Sequence, residues 1–204
     1  MDLNLKGRRA VVTGSTGGIG YAAARELAAM GAAVAINGRS KARVDAAIKK
    51  LKSEVPNGEF LAAPGDLANA AGAGELVRAV PEADILVNNA GIFEPKPFFE
   101  IPDEDWMRFF ETNVLSGVRL SRHYTPGMVK RGWGRVVFIS SESGLHIPAE
   151  MVHYGMTKTA QLAVSRGLAE SVAGTGVTVN AVLPGPTLSE GVEVFMRQIG
   201  RAHV

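Results

Sequence analysis

Short β-branched apolar runs recur along the chain, and each is followed by a stretch whose apolar positions return every three or four residues. The runs predict strands at Ala10–Thr13, Ala33–Ile36, Glu59–Ala62, Ile85–Val87, Arg135–Ser140 and Val177–Val182. The stretches between them predict helices at Gly18–Met30, Lys41–Lys52, Leu67–Val80, from about Asp103 to Lys130, and at Met151–Ala173. Pro126 is expected to break the long helical stretch or to start a fresh helix, because it lacks an N–H and crowds the preceding turn. This alternation predicts an α/β fold with one doubly wound parallel sheet, a single domain over residues 1–186. The unbroken apolarity of VVFIS and VTVNAVL predicts burial on both sheet faces.

After Pro184 the sequence offers no further strand, so the sheet is expected to lack its last one. The final six residues, Ile199 to Val204, match the in-frame translation of a common sequencing adapter. Residues 199–204 are therefore read as a non-native tail on a C-terminally truncated chain; a genuine short C-terminal helix is the other reading.

Composition narrows the function classes. A length of 204 residues suits one domain with a full core, and 24 glycines imply close backbone packing. Lys and Arg number 22 against 20 Asp and Glu, a formal charge of +2 with no basic stripe, which argues against a nucleic-acid partner. With no cysteine, disulfides, thiolate nucleophiles and cysteine metal sites are excluded. The four histidines lack the H-E-x-x-H spacing of a metal site, so no metal is expected. The N-terminus lacks a signal-peptide core, and nowhere does the chain run on for the roughly twenty apolar residues a membrane span needs. A soluble, cytoplasmic protein without a membrane partner is expected.

Directly after the first strand comes Thr13-Gly14-Ser15-Thr16-Gly17-Gly18-Ile19-Gly20, which opens onto a helix. Strand, glycine turn and helix N-terminus together make an anion site, because orphan N–H groups and the helix dipole face a phosphate. Gly14 would allow the tight turn, Gly18 close approach of a pyrophosphate, and Gly20 close packing of helix on sheet. A glycine turn without a ligand remains the alternative. Asn88-Asn89-Ala90-Gly91 follows the fourth strand, either as a simple turn or at the strand end where such sheets bind ligands. Asp66, before Leu67, suits a helix N-cap or a ligand contact. Tyr154 and Lys158 stand four residues apart, on one helix face, where an ammonium can favour phenolate. Taken alone, that pair is a common surface feature. Ser141 precedes Tyr154 by thirteen residues, and Asn113 lies in the helical region before it.

TGSTGGIG resembles the TGxxxGxG loop of the short-chain dehydrogenase/reductase family, and NNAG, the Asn113–Ser141–Tyr154–Lys158 series and Pro184-Gly185 resemble its other motifs in order and spacing. The resemblance covers nearly the whole chain and implies a Rossmann-like sheet that binds a dinucleotide. It implies cofactor contacts from Gly14, Ser15, Thr16, Gly18, Ile19, Gly20, Arg39, Ser40, Asp66, Leu67, Asn89, Ala90, Gly91, Tyr154, Lys158, Pro184, Gly185 and Thr187. It implies that Tyr154 is the general acid or base and that Ser141 donates to the substrate oxygen. Lys158 would hold the ribose hydroxyls and lower the Tyr154 pKa, and Asn113 would help hold a water in a proton relay. Ser143 competes with Ser141, but spacing favours Ser141. Residues 187–198 would begin a substrate lid, and the intact parent would form a homo-oligomer.

The second strand ends in Asn37-Gly38-Arg39-Ser40, with no acid to bind a ribose 2′-hydroxyl and an arginine able to pair with a 2′-phosphate. NADP(H) is therefore expected, with NAD possible; the family's frequent basic residue in the glycine loop is replaced by Gly17. The expected function is interconversion of a ketone or aldehyde with an alcohol, a small-molecule substrate of 3-oxoacyl type among the candidates. A non-catalytic dinucleotide-binding protein and an inactive fragment of such an enzyme are the alternatives. His146 and His153 are read as exposed and without catalytic duty, with a place in a substrate cleft as the alternative; Phe93, Phe98, Phe99, Trp106, Phe109 and Phe110 are read mostly as core, with a hydrophobic cleft or a subunit contact as the alternative.

Overall fold

A computed structural model of the chain describes residues 3–187. The lid segment expected from 187 and the tail expected at 199–204 lie outside the described residues, apart from Thr187. Six parallel strands form one sheet in the order β3-β2-β1-β4-β5-β6. They are β1 (Arg9–Val12), β2 (Ala33–Gly38), β3 (Glu59–Pro64), β4 (Ile85–Asn88), β5 (Gly134–Ile139) and β6 (Val177–Val182). The helices are α1 (Gly18–Ala29), α2 (Lys41–Glu54), α3 (Ala70–Ala79), α4 (Asp103–Phe110), α5 (Ser116–Lys130) and α6 (Val152–Ser171). The predicted α/β architecture and every predicted strand are present.

The period-2 alternation of the strands sorts their side chains onto two cores. Val11, Ala35, Leu86, Val136 and Phe138 face Leu76 of α3 and Leu120, Tyr124 and Met128 of α5. Ala10, Val12, Val34, Ile36, Ile85 and Val87 face Ala24 and Ala28 of α1 and Val44, Ala47 and Leu51 of α2. Both-face burial does not extend to β5 and β6, whose residues alternate between buried and more exposed. The reason is coverage: α1 and α2 pack over the β1–β3 half, and no described helix covers β5 and β6 on that face.

Two differences from expectation have local reasons. α3 starts at Ala70 rather than Leu67 because Asn69 is the N-cap, its Oδ1 accepting from Gly72 N at 2.9 Å. Asp66 instead closes a short turn by accepting from Ala68 N at 3.1 Å. Pro126 breaks nothing: it sits exposed inside α5, one turn after the equally exposed Arg122, whose carbonyl it leaves without a helical donor. The irregularity falls earlier, at a π-helical turn over Glu111–Leu115 that separates α4 from α5 and carries Asn113.

Candidate active site

The C-terminal ends of β1, β4 and β5 meet the N-terminus of α1 and the first turns of α6, and the space between them is a cleft of about 550 Å³. Gly18, Ile19, Asn89, Gly91, Ser141, Tyr154, Lys158, Pro184, Gly185 and Thr187 all line it. A second cavity of about 360 Å³ adjoins it, sharing Gly91 and Ile92. That cavity is lined by Gly14, Thr16, Arg39, Asp66, Leu67 and Ala90, and by Arg43. Residues far apart in sequence are thereby joined along one groove.

The glycine loop has the conformation its residues allow. Gly14 and Gly18 take φ of 59° and 56°, in the left-handed region where a Cβ is strained. The loop is held from below by side chains. Thr13 Oγ1 accepts from Asn89 N and Ala90 N at 2.8 Å each, and Asn89 Nδ2 donates to Thr13 O at 2.9 Å. Asn37, 2 % exposed, accepts from Gly14 N at 3.1 Å and donates to Ala63 O at 2.9 Å. Thr13 and Asn37 were visible in the sequence only as the strand ends flanking the motifs.

Four expected site residues do not present a side chain to the cleft. Ser15 is fully buried, donating to Val12 O at 2.7 Å and accepting from Asn37 N at 2.9 Å. Ser40 caps α2 by accepting from Arg43 N at 3.4 Å. Gly20 is buried beneath the loop rather than in the cleft. Asn113 is buried behind the cleft, and its amide is spent on Ile92 N and O (2.8 and 3.0 Å) and Thr157 Oγ1 (3.0 Å).

At the reacting end, Ser140 donates to Lys158 O at 2.9 Å and so holds α6 beside the end of β5. Ser141 Oγ accepts from Ser143 N at 3.1 Å, which fixes the hydroxyl and leaves its own proton free to donate. Ser141 also hydrogen-bonds the Tyr154 hydroxyl, a contact that holds the phenol pKa down, whereas burial pushes it up and prevails. The expected net lowering is thus absent: Lys158 Nζ stands 5.5 Å from the phenol ring centre and donates instead to Ile139 O (2.9 Å) and Gln161 Oε1 (3.3 Å). Burial lowers the Lys158 ammonium to about 8.

The aromatic and histidine readings need correction. Phe99 is 98 % exposed, and Phe98 and Phe93 are also open to solvent; Phe109 alone among those aromatics is in the core. His146 is exposed, but His153 is fully buried, its ring 4.0 Å from that of Phe109, with neither ring nitrogen hydrogen-bonded. Among the described residues no group of three or more His, Asp or Glu could hold a metal ion, and no helix is long and apolar enough to cross a membrane.

The family model for short chain dehydrogenases matches residues 8–198. The chain belongs to the short chain dehydrogenase family. This dehydrogenase is 52 % identical over 199 residues to the uncharacterized oxidoreductase YvaG of Bacillus subtilis, covering 98 % of this chain and 75 % of that one. It is 35 % identical to the 3-oxoacyl-[acyl-carrier-protein] reductase FabG of Aquifex aeolicus, over 98 % of this chain and 82 % of that one. Its fold superposes with a TM-score of 0.92 on L-sorbose reductase from Gluconobacter frateurii complexed with NADPH and L-sorbose, at 32 % identity, covering 98 % of this chain and 78 % of that one. The chain is therefore an oxidoreductase by family.

Proposed function

We propose that this chain is an NADP(H)-dependent oxidoreductase that interconverts a small ketone or aldehyde with the corresponding alcohol, using Tyr154 as the proton donor and acceptor. The observation that carries the reading is the convergence of Ser141, Tyr154 and Lys158 on one cleft that runs on, past Gly91, to a cavity edged by Arg39 and Arg43. A dinucleotide fits this groove. The turn at Gly14 and Gly18 presents the N-terminus of α1 to a pyrophosphate, and Gly91, which lines both cavities, adds no side chain where they join. Neither Arg39 nor Arg43 has a carboxylate partner among the described residues, which leaves both guanidinium groups for a 2′-phosphate.

When bound, the nicotinamide supplies or takes the hydride. The chain's own residues handle the proton. Ser141 donates a hydrogen bond to the substrate oxygen, and Tyr154 gives that oxygen a proton as it gains charge. Burial keeps the phenol protonated beforehand, the state that carbonyl reduction consumes. Lys158 carries its ammonium one helical turn from Tyr154 and lines the same cleft, a positive charge toward which the phenolate left behind can turn. Phe93, Pro148 and Met151 give the cleft an apolar wall beside the carboxylates of Glu142 and Glu150, room for a small carbonyl substrate. The exposed Phe98 and Phe99 support the expected homo-oligomer, which size-exclusion chromatography tests.

Thermal-shift titrations with NADPH and NADH, followed by ketone-dependent oxidation of NADPH, test the reading. A saturable shift that is larger with NADPH, with turnover, is the expected result. A larger shift with NADH overturns the cofactor assignment, and binding without turnover on any carbonyl favours the non-catalytic alternative.

A further inference from the structure

Gln161 stands on α6 one turn beyond Lys158 and is 2 % exposed, so its amide must find protein partners. It has two, and both belong to residues already placed in the site. Nε2 donates to the main-chain carbonyl of Asn113 at 2.6 Å, and Oε1 accepts from Lys158 Nζ at 3.3 Å. The chemistry of these partners demands an amide. A carbonyl oxygen only accepts and an ammonium only donates, so the bridging group must donate at one end and accept at the other. A carboxylate would face the carbonyl with a second acceptor, and an aliphatic chain would serve neither end.

The bridge also decides where the ammonium points. Lys158 Nζ has three N–H bonds; one goes to Ile139 O at 2.9 Å and one to Gln161, and the residue lines the cleft. Asn113 is itself fixed by Ile92 and Thr157, so the π-helical turn is a rigid anchor rather than a loose acceptor. We infer that Gln161 is a positioning residue: it ties the Lys158 ammonium to the Asn113 carbonyl and so aims the remaining N–H of Lys158 into the cleft. The inference rests on the function proposed above and adds to it a residue that the family motifs did not single out.

The other titratable groups facing Lys158 are Tyr154 on the same helix, with its ring centre 5.5 Å from Nζ, and Glu142 and Glu150, which line the same cleft. Burial disfavours the Lys158 ammonium and an acceptor at residue 161 favours it, so a change there should read in its titration.

The test uses Gln161→Glu and Gln161→Leu in the full chain, with Lys158 titrated by NMR of 13Cε-labelled lysine and kcat/KM for ketone reduction followed against pH. Gln161→Glu should raise the Lys158 pKa, and with it the alkaline limb of the profile, by about one unit or more. Gln161→Leu should lower both, since the acceptor that favours the charged form is gone. A residue that merely fills space would not move the two variants in opposite directions. Should Gln161→Leu fail to fold, the upward shift in Gln161→Glu decides the question alone. A Lys158 pKa unchanged in the folded variants overturns the inference. A wild-type chain that neither binds NADPH nor reduces a carbonyl overturns the proposed function instead, and the NMR titration still reads Gln161.

Discussion

Gly20 and Asn89 meet with no room for a side-chain atom between them: a Cβ on Gly20 would collide with Asn89 Nδ2 and stand 2.6 Å from the Gly14 carbonyl oxygen. Asn89 Nδ2 is already engaged there, donating to Thr13 O and to Gly14 O at 2.9 and 3.1 Å. One contact therefore locks the start of α1 to the ends of both β1 and β4. Those are the elements that shape the phosphate end of the groove.

Gly20→Ala should accordingly be costly despite its small size. Overpacking of this kind costs about 1–3 kcal/mol, and the Asn89 bonds would have to shift to relieve it. We expect a lower thermal midpoint and weakened NADPH binding together. Gly17→Ala is the control, since a Cβ there meets nothing within 4 Å. Equal midpoints for the two variants would contradict the packing role.

Tyr154→Phe removes one hydroxyl that hydrogen-bonds the Ser141 side chain. Turnover should fall by roughly 10²–10⁴-fold, the usual worth of a positioned general acid, while the thermal midpoint and NADPH affinity stay near wild type. Steady-state kinetics beside a binding titration separates these quantities. Retention of the wild-type rate would remove Tyr154 from the mechanism.

The cofactor assignment can be reversed by charge. Arg39→Asp places a carboxylate where a 2′-phosphate would sit and should move the NADPH:NADH ratio of kcat/KM by at least about tenfold, or ~1.4 kcal/mol, toward NADH. Arg43→Ala should weaken NADPH binding and leave NADH binding unchanged, because Arg43 reaches the same cavity from the first turn of α2. An NADPH:NADH ratio indifferent to both changes would place the phosphate elsewhere.

The strands were legible because burial and period-2 patterning both act within four to six residues, and β6 (Val177–Val182) coincides with its predicted span. The glycine loop and the Tyr154–Lys158 pair were legible because turn geometry and helical spacing are local as well. Partner choice is not local. Ser15, Asn37 and Gln161 look like ordinary polar residues until the fold brings them against the Asn37 amide, Gly65 and Asn113. His153 misled for the same reason: its neighbours in sequence are part-exposed, and only the packing of α4 on α6 encloses it. Pro126 misled because a missing N–H costs little on a solvent-facing turn.

That enclosure of His153 makes stability depend on pH. Burial lowers its pKa below the ordinary 6.5; Asp105 and Glu94 pull it up, and Lys96 and Arg108 push it down. These four charges pair among themselves, Lys96 and Arg108 with Asp105 and Arg108 with Glu94, so the protonated ring gains little from them. The unfolded chain then binds a proton at higher pH than the folded one. The contribution of a neutral His153 is complete above about pH 6.5, is lost as pH falls from there to the folded pKa, and falls no further below it. His153→Phe, which keeps a ring against Phe109 without a titrating nitrogen, should flatten that decline. Thermal or urea unfolding of both proteins between pH 7.5 and 5 measures it, and parallel curves would show that other groups set the acid sensitivity.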